Sequence, residues 1–497
     1  MDAVVCRRVG SLKPSDPPSE KDAILAFERN FPVPSLHRPP SSSSVLIRVA
    51  AASLNFADAL QIMGQYQERP PVPFVPGAEV AGVVEEVGEG VGGFKRGDRV
   101  CAVVEGGGFA DLAVADEGSC FHTYPYRSAL PSSNSTPSLS HLALTQRARV
   151  GRGHVVLVLG AGGGTRLLGA GGGTRANLLF SPKPTAPPPH SPPFPTSCPS
   201  RTSCLLSFAF RPFSPFPSSF HIPPTVPFPA AAALPVAFGT AHLALTQRAH
   251  VGREHVVLVL GAGGGVGVAA VQICKLLGAT VIAVARGAEK ASLLASLGAD
   301  LVIDTAQHTH PNAIRDQTNQ FLKQRSQERS AGGPGGRPGG GAGDKGGKGG
   351  RGSGGVDVLF DTVGGEQFKQ GLRVMRWGGH VLVIGFASGA IPSIPANIAL
   401  VKNLTIHGVY WGSYMQHDPA VLRASMHQLL AWLAKGAISV HVSHSFTFNQ
   451  VHQAIVTLLK RKAVGKVVLL PPSAASAAGD SATAGAGTGS SGHTSRL

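Results

Sequence analysis

The sequence predicts an α/β protein: a β-rich first domain joined to a doubly wound parallel-sheet domain, with disordered insertions between and after them. Three observations predict it. Beyond residue 231, near-continuous apolar runs of strand length alternate with amphipathic runs of helix length. A glycine-rich turn joins one of those strands to one of those helices. Before residue 125, short β-branched runs are punctuated by turn residues.

In the first domain, residues 45–52, 79–87 and 99–104 read as strands, with turn chemistry at 88–93 and 95–98. The opening MDAVVCRRVG alternates like an edge strand and lacks the apolar stretch of a secretory signal. In the second, a helix over 231–248 leads to strand 256–260, the glycine turn, helix 266–277, strand 280–285, helix 289–297 and strand 301–303. Strand 356–361, helix 365–375 and strand 380–384 continue the alternation. A Gly-rich tract bearing Lys and Arg, residues 332–355, interrupts one crossover and reads as a flexible surface loop.

Residues 141–164 (HLALTQRARVGRGHVVLVLGAGGG) recur at 242–265, differing only at Arg149/His250 and Gly153/Glu254. The second copy continues with Val266 and Gly267, so Gly261, Gly264 and Gly267 form GxxGxxG between strand and helix. The first continues with Thr165 and Arg166, placing a long cation where the third glycine lets helix pack on strand. It reads as a broken duplicate. Between Pro182 and Pro229 stand 16 of the chain's 39 prolines, which remove amide donors and exclude helix or central strand.

Charge follows these inserts. Residues 126–230 carry nine Lys/Arg and no acid, and 307–355 carry eight Lys/Arg against three acids, so together they supply most of the formal +16. The basic balance therefore says little about a polyanion partner for the folded part. Six scattered cysteines form no CxxC pair, which excludes a zinc-ribbon spacing and fits a reducing compartment. No apolar run is long enough to read as a membrane span. The end, Ser495-Arg496-Leu497, resembles an SKL-type peroxisomal address, with a cytoplasmic location as the alternative.

In GAGGGVG, Gly261, Gly264, Gly265, Val266 and Gly267 bring backbone against a pyrophosphate held at the following helix N-terminus. The second strand ends not in a carboxylate but in Ala285 and Arg286, with Lys290 one turn on. Cations there suit a 2′-phosphate, so the expected cofactor is NADPH; the plain alternative is a solvated helix start.

Asn55, Asp58, Gly64 and Tyr66 fit NxxDxxxxxGxY, followed by VPGAEVAG, GDRV, FDTVGG, GVYWGSY and VGKVVL in order. With these motifs the chain resembles the zinc-independent quinone oxidoreductases (zeta-crystallin-like) of the medium-chain dehydrogenase/reductase superfamily. The resemblance implies a GroES-like catalytic domain and a Rossmann cofactor domain. The expected division is 1–125 catalytic, 126–230 insertion, 231–395 Rossmann with its Gly-rich loop at 331–355, 396–470 catalytic again, and 471–497 a disordered tail. It further implies that Tyr66 and Asn55 face the nicotinamide, with Tyr66 linked to protonation, and that Asp361, Val363, Gly385 and Phe386 line its ribose. Lys466 is a cofactor contact in relatives; a surface lysine is the alternative. No metal is expected, because Asn55 and Ala78 stand where zinc-dependent relatives carry ligands; Glu79 and Asp98 read as loop-holding acids.

The implied activity is hydride transfer from NADPH to a quinone or an α,β-unsaturated carbonyl by a homodimer. The alternatives are an enoyl thioester reductase, or an RNA-binding relative using the basic Gly-rich loop. Tyr410, Trp411 and Tyr414 form an aromatic run that suits either a substrate wall or interior packing.

Overall fold

The computed structural model describes residues 1–12, 23–34, 44–116, 155–161, 164–169, 219–331 and 354–472. The chain divides into two compact units: Met1–His122 with Phe213–Leu497, and Thr123–Pro212. In chain order, β1 (Ala3–Cys6), β2 (Leu25–Glu28) and β3 (Ser44–Leu54) precede α1 (Phe56–Ile62). Next come β4 (Glu79–Val87), β5 (Arg99–Val103), β6 (Leu112–Asp116), β7 (Val155–Ala161), β8 (Gly164–Gly169) and β9 (Ser219–His221).

The chain continues through α2 (Phe228–Ala232), α3 (Pro235–His242), β10 (Val256–Leu260), α4 (Gly265–Leu276), β11 (Thr280–Ala285) and α5 (Ala288–Ser296). After them stand β12 (Leu301–Asp304), α6 (Ala313–Ala331), β13 (Val356–Asp361), α7 (Gly365–Val374), β14 (Met375–Val383), α8 (Ala396–Val401) and β15 (Thr405–Gly408). The last elements are α9 (Tyr414–His417), α10 (Pro419–Ala434), β16 (Val442–Thr447), α11 (Val451–Leu459) and β17 (Lys466–Leu470).

The first unit holds two large sheets. A seven-stranded sheet runs β16-β17-β3-β4-β5-β9, with β6 also on β3, so the return segment after residue 440 completes the β-rich domain. The other is six-stranded and parallel, in the order β12-β11-β10-β13-β14-β15. Its central strand, VVLVL, is apolar throughout because both its faces are covered. Val257 and Val259 pack with Ala269, Ala270 and Ile273, whereas Leu258 and Leu260 pack with Phe368 and Leu372 in a separate core. Each such fully buried side chain contributes about 1.5–3 kcal/mol.

Three expectations change and one helix is added. The helix over 231–248 is broken: α2 ends at Ala232, Pro235 restarts the chain at the first turn of α3, and a π-helical turn covers Leu243–Arg248. Regular structure resumes at β9, inside the insertion expected to run to residue 230, because Val100 and Cys101 of β5 offer it an open edge at His221 and Phe220. Helix α6 fills 313–331 and reaches the Gly-rich tract; its buried face of Ala313, Ile314, Thr318 and Leu322 has the helical spacing. Lastly, the first copy of the repeat pairs β7 with β8 in an antiparallel hairpin, Val155 opposite Gly169 and Val158 opposite Arg166. The proline-rich stretch up to residue 218, the Gly-rich tract 332–353 and the tail from residue 473 lie outside the described residues.

Candidate active site

The glycine turn sits where the strand order reverses between β10 and β13, at the carboxyl ends of the parallel strands. Gly261 has φ +71°, and a Cβ there would lie 2.7 Å from Val363 Cγ2. At Gly267 a Cβ would collide with the Gly261 carbonyl and lie 2.6 Å from Ala262 Cα. Both positions therefore require glycine, one for its conformation and both for close packing. Gly264 caps α4 with no side chain on the helix amides, leaving the first-turn N–H groups of Val266 and Gly267 to an anion. The residues present thus fit a dinucleotide pyrophosphate.

Beside this cradle lies a buried polar cluster. Lys466 Nζ donates to Asn55 Oδ1 at 2.6 Å and to Glu79 Oε2 at 3.3 Å, and Asn55 Nδ2 donates to the same Glu79 oxygen at 2.8 Å. Val236 N–H supplies the other Glu79 oxygen with a donor. Asp58, on α1, accepts from Asn55 N at 2.7 Å. Glu79 is fully buried, Asp58 is 3% exposed and Lys466 5%, so Lys466 is not a surface lysine. Its stem passes under the turn: a Cβ on Gly265 would lie 2.6 Å from Lys466 Cδ. Gly465 N donates to Gly263 O at 2.9 Å, which fastens the return segment directly to the glycine turn. Burial, with Glu79 acting in the same direction, pushes the Asp58 carboxyl up to about 7.

At the other end of the cradle, Arg286 and Lys290 border an open cleft of about 530 Å³ that Arg461 and Lys462 also line. Lys290 Nζ donates to the Arg461 carbonyl at 2.6 Å, and burial lowers its pKa. The expected pair is thus joined by two further cations that sequence reading passed over. Their signal was the dibasic Arg461-Lys462 just before VGKVVL. Asp304, ending β12, accepts from Gly287 N at 2.7 Å and fixes the turn that carries Arg286.

The β13 and β14 ends complete the rim. Asp361 is fully buried and its Oδ1 accepts from Val363 N at 2.9 Å and Gly364 N at 3.0 Å. Its carboxylate is spent on its own turn; what it offers a ribose is the position of Val363. Gly385 N donates to Asp361 O at 3.3 Å, and Phe386 beside it is 37% exposed. Asp98 is likewise a turn-holder, accepting from Lys95 N at 2.9 Å.

Tyr66 is half-buried, and burial raises its phenol pKa. Of the aromatic run, Trp411 is buried against Gly239, where a Cβ would lie 2.8 Å from its Cε2, and so packs the interior. Tyr410 instead reaches across to the first domain, donating to Glu68 Oε1 at 2.6 Å. Among the described residues, no three His, Cys, Asp or Glu side chains gather as a metal site, and no helix is long and apolar enough to cross a membrane. Cys6, Cys101 and Cys274 are buried free thiols.

Comparison with known proteins agrees with this architecture. The family model described as the alcohol dehydrogenase GroES-like domain matches residues 41–125, and that of the zinc-binding dehydrogenases matches 265–435. A quinone oxidoreductase-like protein 2 homolog of Nematostella vectensis is 28% identical over 94% of this chain and 88% of its own length. The mouse quinone oxidoreductase-like protein 2 is 28% identical over 87% and 86%. Among solved structures, the Escherichia coli quinone oxidoreductase complexed with NADPH superposes with a TM-score of 0.60 at 18% identity, covering 95% of this chain and 100% of that one. The Thermus thermophilus quinone oxidoreductase gives 0.56 at 22%, with coverage of 95% and 100%. The chain belongs to the medium-chain dehydrogenase/reductase superfamily, among its quinone oxidoreductase-like proteins.

Proposed function

We propose that this protein is an NADPH-dependent oxidoreductase that reduces a quinone or an α,β-unsaturated carbonyl without a catalytic zinc. The observation that carries the reading is the cradle in which Gly261 and Gly267 leave no room for a Cβ while the amides of α4 stay uncapped. The relatives named above point the same way, two of the solved enzymes having been crystallised with NADPH.

Bound NADPH would supply hydride, so the acceptor must already be electrophilic through conjugation. The chain's residues do the rest. The α4 amides hold the pyrophosphate, while Arg286 and Lys290, with Arg461 and Lys462, hold the 2′-phosphate. Val363, Gly385 and Phe386 border the nicotinamide ribose. Asn55 is oriented by Lys466 and Glu79, and Tyr66 delivers the proton that the reduced acceptor needs. The Lys466 ammonium already satisfies the Glu79 carboxylate and Asn55, so a dication beside them would meet a like charge.

Steady-state oxidation of NADPH and NADH against quinones, alkenals and enoyl thioesters tests the reading, with a chelator in a parallel series. Arg286→Ala with Lys290→Ala should raise the NADPH Kd about 10- to 100-fold and leave NADH binding within about 2-fold. An unchanged NADPH preference would remove the 2′-phosphate assignment, and loss of activity with the chelator would remove zinc independence.

Two further readings belong here. A homodimer is supported by exposed apolar side chains on α8 and β15, Leu400 79% and Val401 75% on the helix and Ile406 41% on the strand that ends the parallel sheet; a monomeric sedimentation coefficient at micromolar concentration would exclude it. Peroxisomal import rests on Ser495-Arg496-Leu497 alone, outside the described residues, and a diffuse fluorescent reporter bearing that tail would exclude it.

A further inference from the structure

One residue of the return segment touches both ends of the cofactor groove. Two positions past α11, Arg461 has φ +58°, a left-handed backbone that a non-glycine residue keeps only where its surroundings hold it. Its amide donates to Leu458 O at 2.9 Å, and its carbonyl accepts from Lys290 Nζ of α5 at 2.6 Å. Its guanidinium donates, through Nη2, to Ala387 O at 3.2 Å. Ala387 lies in the loop after β14, where its N–H donates to Thr362 O at 3.1 Å and that of Ser388 to Val363 O at 2.9 Å. The loop is thus seated on the turn after β13, beside Gly385 and Phe386.

A guanidinium presents several donors in a fixed fork, and Ala387 takes one of them. The others remain for the cleft that Arg461 lines with Arg286, Lys290 and Lys462. Alone, an exposed arginine holds a carbonyl weakly, because water and side-chain entropy oppose the bond. A phosphate gripped by the same fork fixes the side chain, and the bond to Ala387 then needs no further ordering. We propose that Arg461 couples the two ends of the cofactor: a 2′-phosphate in the basic cleft immobilises Arg461, which then pins the Ala387 loop beside the nicotinamide ribose. This rests on the reading of the cleft as the 2′-phosphate site. NADPH is then preferred over NADH in how its nicotinamide is held as well as in how tightly it binds. Arg461 acts through the loop and is a positioning residue.

The test uses the full-length chain with adenosine 2′,5′-bisphosphate, which has the phosphate but no nicotinamide, against 5′-AMP, which lacks the 2′-phosphate. Hydrogen exchange is followed in residues 384–390, where the Ala387 and Ser388 amides report loop opening. Saturating bisphosphate should slow that exchange about 5-fold, and 5′-AMP should not. Arg461→Gly suits the left-handed backbone and keeps the carbonyl that Lys290 uses. It should bind the bisphosphate about 10-fold more weakly, yet at saturation show no protection of the loop. Arg461→Lys keeps a cation in the cleft without the fork, and should lose the protection too. With the best acceptor, Arg461→Gly should lower kcat for NADPH about 5-fold relative to kcat for NADH, a split that weaker binding alone does not give. Protection that persists in Arg461→Gly, its absence in the wild type at saturation, or a kcat ratio that stays at the wild-type value overturns the coupling and leaves a phosphate contact alone. A wild-type chain that binds the bisphosphate no tighter than 5′-AMP overturns the cleft assignment itself, and the coupling falls with it.

Discussion

The run VVLVLGAGGG occurs twice in this chain and takes two structures. At residues 256–265 it is a central parallel strand, a glycine turn and the first residue of a helix; at 155–161 it is the strand β7, paired antiparallel with β8, which begins at Gly164. Ten identical residues therefore store a strand but not the element that follows. After the second copy come Val266, Gly267 and nine residues that continue as α4. After the first come Thr165, Arg166 and two leucines, of which Arg166 to Leu168 pair with the strand just made. A cofactor cradle needs the third glycine and the helix behind it, and only the second copy has both.

The sharpest way to break this contrast is to make the second copy resemble the first. Val266→Thr with Gly267→Arg should raise the NADPH Kd more than 100-fold by fluorescence titration, because any Cβ at residue 267 strikes the Gly261 carbonyl. Gly267→Ala alone is the milder probe: about 10-fold weaker binding with an unchanged circular dichroism spectrum. Binding within 2-fold of wild type in both variants would mean that the copies are distinguished elsewhere.

The second copy is also anchored, through Gly465 and Lys466, to the β-rich domain. Lys466→Met keeps the stem under Gly265 but leaves the Glu79 carboxylate buried without its cation. Urea unfolding should show a loss of about 3–5 kcal/mol, and adding Glu79→Gln should recover a sizeable part. No recovery would mean that the stem, not the charge, is what matters.

Asp58 senses the same anchor, with Asn55, Glu79 and Lys466 facing it. Its carboxyl holds a proton up to about pH 7 in the fold, against an ordinary value near 3.8. The folded state therefore binds the proton more tightly, so stability from this group is fullest below about pH 4 and is lost as pH rises through 7. Asp58→Asn should remove that slope and gain about 1–3 kcal/mol on the wild type between pH 5 and pH 8, read from urea midpoints at the two values. Parallel slopes for the two proteins would place the titration elsewhere.

What could be read from sequence was what is stored locally. Strands 256–260 and 356–361 stand where their apolar runs put them, since a strand covered on both faces needs nothing more distinctive. The Gly261–Gly267 turn was legible because each glycine answers a contact within a few residues of it. Lys466 was not: its partner Asn55 lies 411 positions away, and nothing near Lys466 distinguishes a buried ammonium from a solvated one. Tyr410 could be grouped with other aromatics, but its partner Glu68 is 342 residues off. Helix 231–248 failed for the opposite reason, a local signal at Pro235 outweighed by the apolar run around it.

The smallest expected effect comes from removing the first copy altogether. Strand β9 places Phe220 and His221 opposite Cys101 and Val100, on the open edge of β5. The same dipeptide occurs earlier, as Phe121-His122, within a Cys120-Phe-His run that parallels Ser219-Phe-His. Deleting residues 123–221 joins His122 to Ile222 and restores a Phe-His pair in front of the same Ile-Pro-Pro. The second copy, its three glycines, Glu79, Lys466 and the basic cleft are all kept. The shortened chain should match the full one in NADPH Kd within about 2-fold and in Tm within about 3 °C. The duplicate would then be an appendage inserted in the sequence between β6 and β9. A deletion variant that folds but cannot bind NADPH would show instead that the first copy, hairpin and all, supports the working one.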